Sequence, residues 1–116
     1  MLPAFEKEIR QLRSLGQKDI ILDPGFGFGK TLEQNYSLLA NLERIKILKE
    51  PFLVGISRKS MIFRLLGSTP NDSLNGTTVL NTISLLKGAS ILRVHDVKEC
   101  VETIRIIEKT RLCSEL

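Results

Sequence analysis

A chain of 116 residues, 26% of them charged and 5% aromatic, is sized for one domain with a modest core and is neither disordered nor fibrous. Its formal charge of +4 suits anionic small ligands, but its Lys and Arg residues are scattered with no aromatic stacking pattern, which argues against a nucleic-acid partner. No apolar run approaches the roughly 18 residues of a membrane span, so no membrane partner is expected, and the N-terminus lacks the basic and apolar regions of a signal peptide.

Pro3, Phe5, Ile9, Leu12 and Leu15 predict a first amphipathic helix, with Pro in its first turn and Gly16 at its end. Asp19 to Asp23 is a short apolar run before a glycine-rich turn and predicts a buried strand. Leu38, Leu39, Leu42, Ile45 and Leu48 predict a helix from Leu32 or Glu33 to Lys49, ended by Pro51. Phe52 to Ile56 predicts a second strand. A short helix over Met61–Leu66 stops at Gly67, and Ser68 to Asn75 is a polar loop. Leu74 to Lys87 predicts another helix, capped by Gly88, and Ile91 to Val94 a third strand. Asp96 is expected to cap a last helix whose apolar face is mostly Val97, Val101, Ile104 and Ile107. Cys100 and Cys113 fall there, separated by roughly 20 Å of helix. They cannot pair with each other and have no metal-ligand spacing, so free thiols in a reducing, cytoplasmic setting are expected.

Strands alternating with amphipathic helices give an α/β fold, with three parallel strands, flanking helices and right-handed crossovers. The strands are apolar nearly throughout, the pattern of a sheet covered on both faces. Length excludes a whole (β/α)8 barrel, which needs about 200 residues, and leaves a small layered sheet or a piece of a barrel.

Polar residues collect where the strands end, at Asp23, at Ser57-Arg58-Lys59-Ser60 and at Arg93-Val94-His95-Asp96. In parallel α/β folds that edge binds ligands. The run Asp23-Pro24-Gly25-Phe26-Gly27-Phe28-Gly29-Lys30 looks at first like a phosphate loop. The Walker pattern fails because Pro24 stands where its first glycine is needed, and the even spacing of Gly25, Gly27 and Gly29 does not fit G-x-G-x-x-G. Three glycines around two Phe exceed what a turn requires and let a flat ligand approach the backbone. Lys59 and Ser60 open a helix, where an anion is favoured, although Ser57 or Ser60 could serve only as its cap. His95 is the only histidine; Arg93, two residues away on a strand, shares its side. Together they make a diphosphate-type anion site.

These segments resemble, in order and spacing, the motifs of the dihydropteroate synthase family: Asp23 to Lys30, Gly55-x-Ser57-Arg58-Lys59-Ser60 and Arg93-Val94-His95-Asp96-Val97, with Gly76-Thr77 also similar. The resemblance runs from about residue 3 to about residue 110. It implies a partial (β/α)8 TIM barrel, residues 1–116 being its C-terminal portion with strands six to eight. The family joins 6-hydroxymethyl-7,8-dihydropterin diphosphate to para-aminobenzoate and releases diphosphate, in folate biosynthesis; sulfonamides compete for the aminobenzoate site. By resemblance, Asp23 accepts from the pterin N–H groups and Lys59 contacts the pterin ring. Ser60 and the helix start hold the aminobenzoate carboxylate, with Phe28 beside its ring. Arg93 and His95 hold the leaving diphosphate. Gly27 and Arg58, within the same motifs, are carried over as substrate-binding.

No segment resembles the family's first half, which supplies the Asn that helps bind Mg²⁺, further pterin-binding residues and two mobile loops. The expectations are therefore no metal ligand in this chain, no synthase activity from the chain alone, and homo-oligomerisation or pairing through the exposed Ile20 and Ile91 strand edges. Two rivals remain: a phosphate- or nucleotide-binding α/β module, and a non-enzymatic remnant of the enzyme fold.

Overall fold

A computed structural model describes residues 1–115. Helix α1 (Leu2–Ser14) leads to an extended segment ending at Leu22. Then come α2 (Leu32–Ala40), a 3₁₀ helix (Leu42–Leu48), β1 (Leu53–Val54), α3 (Ser60–Leu66) and a 3₁₀ turn (Pro70–Asp72). Helix α4 (Leu74–Leu86), β2 (Ile91–Leu92) and α5 (Val97–Leu112) complete the chain. The expected order of elements is present, but the strands are short. β1 and β2 pair in parallel, Leu53 with Ile91 and Val54 with Leu92, while the predicted first strand makes one parallel bridge, Leu22 to Phe52. The joining bonds include Leu53 N–H to Leu22 C=O at 2.8 Å and Arg93 N–H to Val54 C=O at 3.0 Å.

The helix expected from Leu32 to Lys49 is two elements. α2 starts on a capping box of Thr31 and Gln34 and ends at Asn41. Beyond it, Leu42, Ile45 and Leu48 recur every three residues, which is the 3₁₀ repeat rather than the α repeat. Leu42 and Ile45 are completely buried. Lys49, at φ 57°, turns the chain toward β1.

The core lies between the helices and one face of the strands: Leu22, Phe52, Val54, Ile56, Leu42, Ile45, Met61 and Ile62 are all buried. The expectation that both sheet faces are covered does not hold within this chain. On the other face Ile21 is 57% and Ile91 37% exposed. Two helix faces also differ from expectation. In α5 the buried residues are Cys100, Thr103 and Ile107, while Val97 and Val101 are exposed; in α1, Leu12 and Leu15 are exposed and Ile9 is buried. Cys113 sits at the C-terminal cap of α5, and both cysteines are free.

Candidate functional site

Register assembles the site. Extending the Leu53–Ile91 pairing by two residues sets Gly55 opposite Arg93, and by four sets Ser57 opposite His95. Side chains two apart on a strand share a face, so Asp23, Gly55, Ser57, Arg93 and His95 emerge on the open face where the strands end. Both cross-strand neighbours touch. The Arg93 guanidinium lies over Gly55, where an added Cβ would stand 2.6 Å from Nη2, so a side chain there would displace the guanidinium from this position. Ser57 Oγ lies 2.8 Å from His95 Nδ1. Gly55, Ser57, Lys59, Arg93, Val94 and His95 line one cavity of about 100 Å³.

The glycine loop forms the neighbouring wall. Phe26 is buried and anchors the loop, while Phe28 stands out at 70% exposure. Gly25, Gly27 and Gly29 all take positive φ, which other residues resist. Asp23 Oδ1 accepts the Gly25 N–H at 2.9 Å, and Oδ2 makes no hydrogen bond among the described residues. Gly27 donates its N–H to the buried Asn35 side chain at 2.8 Å, and the Lys30 ammonium donates to the Gly25 carbonyl at 2.6 Å. Lys59 crosses from the β1–α3 loop to this wall. Its Nζ donates to the Phe26 carbonyl at 2.5 Å and lies 5.0 Å from the Phe28 ring centre, within cation–π range. Burial pushes the Lys59 pKa down, Arg93 and Lys30 push it the same way, and Asp23 opposes them.

Arg58 is placed differently. It adopts φ 57° and turns away from the cavity-lining residues to bind Asp96, with Nη2 2.8 Å from Oδ1. This ion pair ties the β1–α3 loop to the start of α5, and it accounts for the missing cap: the Asp96 side chain makes no cap bond to its helix. Nor does Ser57 or Ser60 cap α3; the capping position is Lys59, without a side-chain bond, and Ser60 opens the helix. Gly76-Thr77 also acquires a physical role. Thr77 Oγ1 accepts the Arg58 N–H at 3.2 Å, and Ile62 presses so closely on Gly76 that a Cβ there would clash. Among the described residues no three His, Cys, Asp or Glu side chains gather as metal ligands.

Sequence reasoning located Asp23, Lys59, Arg93 and His95, and the structure brings the last three to one cavity. It missed Asn35 as the loop's anchor and Ser57 as a partner of His95. Their signal is a polar residue at a core-facing or paired position, which is visible only once register is known.

A parallel strand set with polar residues at its C-terminal ends, where Lys59, Arg93 and His95 line one cavity, defines an α/β protein with its candidate site at the strand ends. The comparisons give the family. The profile of the pterin binding enzyme family matches residues 1–95, and the chain belongs to that family. It is 48% identical over 113 residues to the dihydropteroate synthase of Escherichia coli strain K12, covering 96% of this chain and 40% of that protein. It superimposes on the crystal structure of Yersinia pestis dihydropteroate synthase with a TM-score of 0.91 at 43% identity, covering 96% of this chain and 46% of that one. The Coxiella burnetii dihydropteroate synthase, solved in complex with pteroic acid, gives 0.88 at 37% identity, covering 94% and 41%. The chain thus spans less than half the length of these relatives.

Proposed function

We propose that this chain supplies one wall of a dihydropteroate synthase active site, the wall that grips the pterin edge and the diphosphate of 6-hydroxymethyl-7,8-dihydropterin diphosphate. The observation that carries this reading is the single cavity at which Lys59, Arg93 and His95 meet, beside the exposed Asp23 carboxylate. In the reaction the C–O bond to diphosphate breaks first, and the para-aminobenzoate amine then forms a C–N bond to the resulting pterin methylene cation and loses a proton. Arg93 and His95 stabilise the charge that grows on the leaving diphosphate. Asp23 accepts from the pterin N–H groups through its free Oδ2, and Lys59 lies against the ring. Phe28 and Ser60 face the aminobenzoate, the site for which sulfonamides compete. Gly27 leaves room for Lys59, whose Cδ would stand 3.3 Å from a Cβ there. Arg58 acts by holding the two loops together rather than by touching substrate.

In this reading the three strand segments are strands six to eight of a (β/α)8 barrel. Mg²⁺ is held by residues outside the described ones, and the setting is cytoplasmic, where both thiols stay reduced. Positioning supplies much of the catalysis, so this wall alone binds and does not synthesise. Titrating the chain with inorganic diphosphate tests the core of the reading. Saturable binding is expected, weakened roughly tenfold or more by Arg93→Ala, the loss of a charge-assisted contact. Binding indifferent to Arg93 would contradict it.

A further inference from the structure

Ser57 and His95 are joined twice. Ser57 Oγ lies 2.8 Å from His95 Nδ1 and accepts the His95 backbone N–H at 3.3 Å. Ser57 is 5% exposed, and its hydroxyl has no other partner among the described residues. A hydroxyl has one hydrogen and two lone pairs. The His95 amide occupies one lone pair. An imidazole donating from Nδ1 would occupy the second and leave the buried serine hydrogen without an acceptor, which is unfavourable. A hydroxyl donating to Nδ1 satisfies every group. The neutral ring then keeps its hydrogen on Nε2, which bonds to nothing among the described residues while the ring lines the cavity.

We infer that Ser57 is a positioning residue that locks His95 in its Nε2–H tautomer. The ring thereby offers a donor to an anionic oxygen instead of a lone pair that would repel it. The tautomer stands on geometry alone; its use on diphosphate rests on the function proposed above.

His95 is the only histidine, so the ¹⁵N-labelled chain gives a single imidazole pattern in a long-range ¹H–¹⁵N spectrum. At a pH where the ring is neutral, Nε2 is expected to carry the hydrogen and Nδ1 to be unprotonated. Ser57→Ala should let the ring relax toward the tautomer mixture of free imidazole, and Ser57→Thr, which keeps the hydroxyl, should restore the lock. Ser57→Cys, close in volume with a much weaker donor, replaces Ser57→Ala if that variant does not fold. A wild-type ring protonated on Nδ1, or a spectrum unchanged by removing the hydroxyl, overturns the inference. Inorganic diphosphate separates the two claims. Its affinity should fall roughly three- to tenfold in Ser57→Ala and recover in Ser57→Thr. Equal affinity in both variants overturns Ser57's role toward the anion. Absence of binding to the wild type beside a locked tautomer supports the inference and sinks the diphosphate reading.

Discussion

Lys59 concentrates the conflict at the site. Its side chain is partly buried, and its ammonium is bonded to the Phe26 carbonyl, set over Phe28 and near Arg93. Burial, more than any neighbour, pushes its pKa below the ordinary 10.5. The folded state therefore holds fewer protons than the unfolded chain in the window just below 10.5, and stability contributed here rises with pH across that window. Urea midpoints should rise for the wild type relative to Lys59→Met between neutral pH and about pH 10. Parallel pH profiles for the two proteins would show that Lys59 is not held out of solvent. At this scale the cavity-lining Lys59, Arg93 and His95 were legible because charged residues collect where the strands end. The partners of Ser57, Asn35 and Thr77 were not, because a polar residue of modest size takes its role from a partner far away in the sequence. His95 lies 38 residues from Ser57, and Thr77 lies 19 from Arg58.

Between elements, the Arg58–Asp96 pair ties the β1–α3 loop to the start of α5. Arg58 holds a left-handed conformation that costs a non-glycine residue about 1 kcal/mol, offset here by the ion pair and by its amide bond to Thr77. The Arg58 hydrogen bond lowers the Asp96 pKa from its ordinary 3.8. A depressed folded-state pKa contributes stability that is present above 3.8 and lost as pH falls through the folded value. Asp96→Asn should thus lower the urea midpoint modestly at neutral pH, with a gap from wild type that closes as the solution is acidified from 3.8 downward. A gap that persists in acid would point to packing instead of charge. The order and nature of the helices were legible from periodicity and from Pro and Gly. The 3₁₀ break at Asn41 was not, since Leu42, Ile45 and Leu48 satisfy both an α and a three-residue repeat over so short a span. Strand lengths also failed to follow from composition, because a ladder extends only where a neighbour is present to bond with it. Val97 and Val101 were assigned to the buried face by spacing alone, whereas the α4 contact selects Cys100, Thr103 and Ile107.

Over the whole molecule, the dimensions of 44 × 42 × 24 Å describe a flattened slab. Its radius of gyration is 15.4 Å, above the roughly 13 Å of a compact chain of this size. The excess follows from a sheet with helices on one face only, open on the other and along the Leu22 and β2 edges among the described residues. Open edges invite strand pairing, so light scattering on the isolated chain should show dimers or larger species, and a monodisperse monomer with cooperative unfolding would contradict that. In the proposed function the strand ends form a pterin-diphosphate wall with Asp23 as the pterin acceptor. Calorimetric titration with 6-hydroxymethyl-7,8-dihydropterin diphosphate tests it most directly. Saturable binding is expected, weakened roughly tenfold or more by Asp23→Asn, while binding of inorganic diphosphate is retained. Absence of binding, or pterin binding untouched by Asp23→Asn, would contradict it.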